Sequence, residues 1–197
     1  MSNASYNNGS TIIESLIAES RSGAPLMKST ILSSVKPSEM DVSKLIDTVN
    51  SHQDHSAYHV LGLLRRSFPD AYRNLPGAVK APVLCDALSH LTFFNDWGYL
   101  APDESHDGEA ALALLELGEA ALPCLIPLLD ESKAAPLFGS EPATMSTVYQ
   151  YRINDFAYRY ISKILGRDPT FAADPQARDA EIERLKTELQ SNQPNSP

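Results

Sequence analysis

Apolar residues recur at helical spacing along most of the chain, in segments separated by clusters of Ser, Gly and Pro. Ser10 can cap a first helix in which Ile12, Ile13, Leu16 and Ile17 share a face. The chain turns around Ser22-Gly23, and a helix over 25–35 is the expectation for the stretch that follows. Pro37-Ser38 then restarts it, with Ser38 and Asp41 as a capping-box-like pair ahead of Val42, Leu45, Ile46 and Val49. From Asp54 to Phe68 the residues Ala57, Val60, Leu61, Leu64 and Phe68 recur at the helical period. A short segment from Asp70 to Leu75 ends at Pro76-Gly77, and a new helix is expected from Pro82, whose missing N–H costs nothing at a first helical position.

The stretch from Asp107 to Gly166 contains an internal echo. Asp107 opens a block that ends in Leu117-Gly118, and Asp155 opens another that ends in Leu165-Gly166. Pro82-x-Leu84 with Leu88 lines up with Pro123-x-Leu125 with Leu129. Two helix pairs follow: Pro82 to Leu91 with Asp107 to Leu117, and Leu122 to Asp130 with Tyr149 to Leu165. Ala110 to Leu117 is apolar on nearly every side, so it is expected to be the central buried helix. Ile153, Phe156, Ala157, Tyr160, Ile161 and Ile164 give the last helix of the second pair one clean apolar face. Asp174 and Pro175 then open a terminal helix with a narrow stripe of Ile182, Leu185 and Leu189.

The run Leu117-Gly118-Glu119-Ala120-Ala121-Leu122-Pro123-Cys124-Leu125-Ile126-Pro127-Leu128-Leu129-Asp130 resembles the junction between consecutive HEAT-like repeats, and Arg152 to Gly166 resembles the second helix of one. The resemblance covers residues 82–166 and implies an all-α fold: a short HEAT-like right-handed stack of antiparallel helix pairs with long insertions inside each pair. It departs from the family at the turns within the pairs, Thr92 to His106 and Ser132 to Val148, which are much longer than usual, and in having only two recognisable units. The domain organisation expected is a disordered N-terminus over 1–9, one domain over 10–190 and a disordered tail over 191–197. Within that domain, 10–75 supplies N-terminal helices, 76–166 the two pairs and 174–190 a capping helix.

Composition narrows the chemistry. A chain of 197 residues that is 43% hydrophobic is long enough for one domain with a substantial core. A net charge of -9 argues against a nucleic-acid partner, which needs clustered Lys and Arg. No apolar run approaches the roughly 20 residues that cross a bilayer, and the N-terminus lacks a signal-peptide pattern, so no membrane partner and a cytoplasmic location are expected. Cys85 and Cys124 fall in apolar segments and read as small core hydrophobes.

In a helical repeat stack, insertions between the helices of each pair fall on one edge. That edge is the expected partner-binding surface, with Asp96, Trp97, Tyr99, Phe138, Glu141, Tyr149, Tyr151 and Arg152 as its residues, since Trp, Tyr and Arg dominate interface anchors. The competing reading of the same aromatics is that they fold back and cover the end of the core. His52, His55 and His59 are spaced for one helix face, which reads as a solvated face rather than a metal site. Asp103, Glu104, His106 and Asp107 match no ligand motif and read as an acidic turn, with Asp107 placed to accept free N–H groups at a helix start. Asp155 reads as a partner of Arg152 or Arg159. There is no GxSxG and no phosphate-cradling Gly-rich loop, so no catalytic residue and no cofactor is assigned. The functional expectation is a non-catalytic adaptor that binds a protein partner through the edge formed by 92–106 and 132–151. The alternatives are a small-molecule site or enzyme, with His106, Asp155 and Arg152 converging between those insertions, and a structural subunit of a larger assembly.

Overall fold

A computed structural model describes residues 3–191. Among the described residues helix accounts for about 70% and strand for about 3%, which places the fold in the all-α class. The chain divides into two compact units, Met1–Asp96 and Trp97–Pro197. The division falls inside the first expected helix pair.

In the first unit, α1 (Asn3–Arg21) is followed by α2 (Thr30–Ser34), α3 (Val42–Ser51), α4 (Tyr58–Ser67), α5 (Pro69–Asn74) and α6 (Gly77–His90), with short 3-10 turns at Leu26–Lys28, Pro37–Glu39 and His55–Ala57. Helix α1 takes in most of the stretch expected to be disordered, of which residues 1–2 lie outside the described residues. Over 25–35 the expected single helix is replaced by the Leu26–Lys28 turn and α2, which Ser29 caps by accepting the Leu32 N–H at 3.0 Å. Asp41 alone caps α3, through Ser43 N at 3.0 Å, whereas Ser38, its partner in the expected capping-box-like pair, lies in the preceding 3-10 turn; Leu45 and Val49 are fully buried. Helix α4 is the centre of this unit: every residue from Tyr58 to Leu64 is buried, and α1, α3 and α6 all pack on it. Gly62 is what lets the Leu26 side chain approach so closely, since a Cβ there would meet Leu26 Cδ2 at 2.8 Å. Helix α6 starts at Gly77 rather than at Pro82, so Pro82 lies inside it.

One buried carboxylate closes this unit. Asp96 accepts N–H donors from Leu26 at 2.5 Å and Met27 at 3.3 Å, and the Tyr58 hydroxyl at 2.9 Å. It thereby satisfies the free N–H groups at the start of the Leu26–Lys28 turn from 70 residues away along the chain.

The second unit holds a two-residue antiparallel ribbon, β1 (Gly98–Tyr99) with β2 (His106–Asp107), then α7 (Glu109–Leu115), α8 (Leu122–Leu125), α9 (Ser140–Val148), α10 (Ile153–Ile164) and α11 (Pro175–Ser191). The ribbon needs a glycine at position 98: its φ is 94°, and a Cβ would collide with His106 O. Helix α10 is the centre here. Ile153, Phe156, Ala157, Tyr160 and Ile161 are each 0% exposed, and the 3-10 segment Ile126–Asp130, α7 and α11 pack on it. The second expected helix pair is therefore in contact, although α10 begins at Ile153 and not at Tyr149. The block Ala110 to Leu117 is not buried all round, because α7 is short and Leu112 is 47% exposed. The second insertion is not a plain loop. It contains α9, and residues 131–135 run alongside 151–154, with Ala135 N bonded to Tyr151 O at 2.8 Å and Ile153 N to Lys133 O at 3.0 Å. Residues 192–197 of the expected tail lie outside the described residues. Neither cysteine is a free thiol, against the expectation of two separate core thiols.

Arg178 of α11 ties the second unit together. Its Nε donates to Asp155 Oδ1 at 3.0 Å, NH1 to the carbonyls of Ala172 and Ala173, and NH2 to those of Tyr149 and Gln150. The guanidinium also lies over the Phe171 ring at 4.6 Å. Asp155, 0% exposed at its side chain, accepts from Arg152 NH2 at 2.9 Å and from the Arg152 backbone N–H at 3.0 Å, which caps α10. The expected Asp155–Arg152 pair is present, and Arg178 is the partner the sequence did not suggest.

His59 gives the first unit a pH dependence. It is buried in α4, with Nδ1 2.9 Å from Ser20 Oγ, and burial, with the nearby Arg66 charge, lowers its pKa from 6.5 to about 4. The folded protein holds His59 neutral, whereas the unfolded chain takes up the proton below about pH 6.5. Stability is thus fully present above that pH and falls between pH 6.5 and about 4, by about 3 kcal/mol for this group. Urea titrations from pH 7.5 to 4.5 should show that decline, and His59→Gln should be less stable at pH 7 but lose the decline.

Candidate functional site

The residues expected to form the binding edge separate into three groups. Asp96, Trp97 and Tyr151 are buried. Asp96 is held in the first unit as an acceptor for three donors. Trp97 is 0% exposed, with its ring 5.8 Å from that of Tyr160, whose hydroxyl donates to Trp97 O at 2.6 Å. The Tyr151 hydroxyl donates to Leu100 O and accepts the Leu100 N–H at 3.0 Å. Burial pushes its pKa up to about 12. These three side chains cannot reach a partner in this structure, and Trp97 and Tyr151 follow the reading in which aromatics fold back onto the core.

A second group is half-buried and already engaged. Tyr149 stacks on Tyr151 at 6.4 Å with planes 7° apart and meets Phe171 edge-on at 5.9 Å. Arg152 is shared between Asp155 and Asp179, the latter at 2.7 Å. Burial works against its charge, but the hydrogen bonds and charges of the two carboxylates outweigh it and raise its pKa. Phe138 is half-buried beside α9.

The third group is open to solvent and lies together. Tyr99 and Glu141 line a cleft of about 280 Å³ with Ala101, Asp103, Glu104, Pro142 and Met145. The first four in chain order come from the ribbon and its connecting turn, and Glu141, Pro142 and Met145 come from α9, so both insertions contribute to one concave surface. Asp103, Glu104 and Glu141 are exposed, while Tyr99, Ala101, Pro142 and Met145 are half-buried and supply an apolar floor. The floor is fixed from behind. Tyr99 stacks on His106 at 5.7 Å, Gly98 and Asp107 are register partners in the ribbon, and the Tyr151 hydroxyl holds Leu100.

The acidic turn does not act as a single cluster. Asp103 and Glu104 face the cleft, whereas Asp107 is half-buried against α10, bonded to Arg159 Nε at 3.0 Å and to Lys163 Nζ. Burial raises the Asp107 pKa, but the bonds and charges of Lys163 and Arg159 outweigh that and hold it below the usual carboxylate range. The expected capping role at α7 falls to Gly108, which has no side chain to offer. His106, Asp155 and Arg152 do not converge: none of them lines the cleft. The histidine stripe is also taken apart. His52 ends α3, His59 is buried in α4, and His55 turns toward Asp86 of α6, a residue the sequence reading did not connect with it.

No protein-family model matches the sequence, and neither a curated protein nor a solved structure matches the chain. No single helix among the described residues is long and apolar enough to cross a membrane.

The separation of anchor residues into buried and open groups has a measurable consequence. Tyr151→Phe removes the group that serves both polar atoms of Leu100 and should cost about 2 kcal/mol. Leu100 amide exchange should speed up in step. Tyr99→Ala, on the half-exposed floor, should cost much less, and equal losses for the two variants in urea titrations would contradict the assignment.

Proposed function

We propose that this chain is a non-catalytic protein-interaction module that holds a basic segment of a partner protein across the cleft between the two insertions. The observation that carries the reading is the composition of that cleft: three exposed carboxylates, Asp103, Glu104 and Glu141, around a floor of Tyr99, Ala101, Pro142 and Met145. A segment with an apolar side chain flanked by Lys or Arg fits that pattern, with the floor supplying contact area and the carboxylates selecting and steering the charge. The net charge of -9 favours the same class of partner at long range. Val148, 65% exposed on α9, extends the apolar area beyond the cleft.

The fold we propose with this function is a degenerate HEAT-like stack. Its support is the packing of Ile126–Asp130 on α10 in the second expected pair, together with the placement of both long insertions within reach of one cleft. A small-molecule site is less well supported, because the polar residues that would define it are engaged with one another: Arg152 with Asp155, and Asp155 with Arg178.

The test is fluorescence anisotropy with a labelled peptide that alternates leucine and arginine. The wild-type chain should bind it with an affinity that falls as salt is raised. Asp103→Asn, Glu104→Gln and Glu141→Gln together should weaken binding about tenfold, given several tenths of a kcal/mol per exposed charge pair. Neutralising Glu14, Asp47 and Glu119, which lie elsewhere, changes net charge equally and should leave binding nearly intact. Equal losses in both triple variants would reduce the effect to overall acidity and overturn the site.

A further inference from the structure

Helix α6 carries a polar cluster that the cleft does not involve. Asp86 and His90 are four residues apart and project from one side of the helix. The turn His55–Ala57 packs on α6 within the same unit and sets the His55 ring against them. The imidazoles of His55 and His90 stack with ring centres 4.1 Å apart and planes 7° from parallel. Nδ1 of His55 is 2.6 Å from Asp86 Oδ2, and Nδ1 of His90 is 3.4 Å from Asp86 Oδ1. One ligand atom from each of the three residues lies within 4.8 Å of the other two. We propose that His55, Asp86 and His90 bind one divalent transition-metal ion of the zinc class.

The donor set selects the metal. Two imidazole nitrogens and one carboxylate oxygen suit zinc and its neighbours, whereas calcium and magnesium take oxygen ligands. Metal–ligand bonds of about 2.0–2.2 Å put the ligand atoms of a tetrahedral site about 3.3 Å apart. His90 Nδ1 is 2.8 Å from the Asp86 backbone carbonyl, to which it donates, so Nε2 is the His90 nitrogen left for the ion. The two rings lie face to face, so at least one of them turns out of the stack to bring its nitrogen lone pair in line with the ion. Asp86 Oδ2 accepts the His55 backbone N–H at 2.7 Å, which fixes the carboxylate and leaves Oδ1 for the ion. The side chains are 23%, 35% and 50% exposed for His55, Asp86 and His90, so one side of the cluster is open and a water can complete the coordination. The end of α6 is held in place as well: Thr92 donates its N–H at 2.8 Å and its hydroxyl at 2.7 Å to Gly23 O.

The experiment is a zinc titration by calorimetry on the untagged, chelator-treated full chain. One equivalent should bind, the melting temperature should rise, and cobalt in place of zinc should give the visible absorption of a low-symmetry site. His90→Ala, a half-exposed position whose loss leaves the fold intact by circular dichroism, should weaken zinc at least about tenfold. His106→Ala should change nothing. No stoichiometric binding, or binding that survives His90→Ala unchanged, would overturn the site and leave the cluster as a hydrogen-bonded group of two histidines and a carboxylate.

Discussion

Arg178 sits 5% exposed in the second unit, and a guanidinium taken out of water is tolerated only when its donors are satisfied. Here they are, by one carboxylate and four backbone carbonyls. Those carbonyls belong to segments with no regular partner of their own: Ala172–Ala173 before α11, and Tyr149–Gln150, where Gln150 takes a positive φ of 50° between α9 and α10. One side chain near the end of the chain thus fixes the junction from which α10 starts and at which α9 stops. The next residue, Tyr151, carries that position across to Leu100 and so to the ribbon. The shape of the cleft depends on this sequence of contacts, because its two walls are α9 and the turn beyond the ribbon.

The first unit applies the same principle with an acceptor in place of a donor. Asp96 gathers the N–H groups of Leu26 and Met27 and the Tyr58 hydroxyl, and so joins the end of the unit to its first turn and to its central helix. In both units one buried polar side chain organises irregular backbone that could not satisfy itself, while the regular helices rely on apolar packing. Single-residue truncation at either centre leaves several buried polar atoms without a partner, the mechanism behind the larger losses seen on breaking buried networks.

Much of this was legible in the sequence where periodicity decides. The face of α10 named from spacing is buried at five of its six positions, and the cap of α11 sits at Asp174. Residue type alone did not decide which aromatic points outward. Trp97, Tyr99 and Tyr151 look alike as interface residues, yet two are buried and one lines the cleft, because the groups that hold the buried ones, the Tyr160 ring for Trp97 and Leu100 for Tyr151, are distant along the chain. Asp96 and Arg178 were underread for the same reason: a lone charge next to a turn or in a terminal helix gives no sign of the distant backbone groups it will satisfy. Helix α6 began earlier than expected because Pro76 already supplies a start, and Pro82 is accommodated inside the helix. The boundary between the units was not visible either, since no change of composition marks Asp96-Trp97.

The most direct measurement of the central claim is hydrogen exchange by mass spectrometry on Arg178→Met, under conditions where circular dichroism shows the variant still folded. If Arg178 positions both walls of the cleft, protection falls together in peptides covering 97–107 and 140–152. Loss of protection confined to 171–191 would contradict that account and make Arg178 a local anchor of α11.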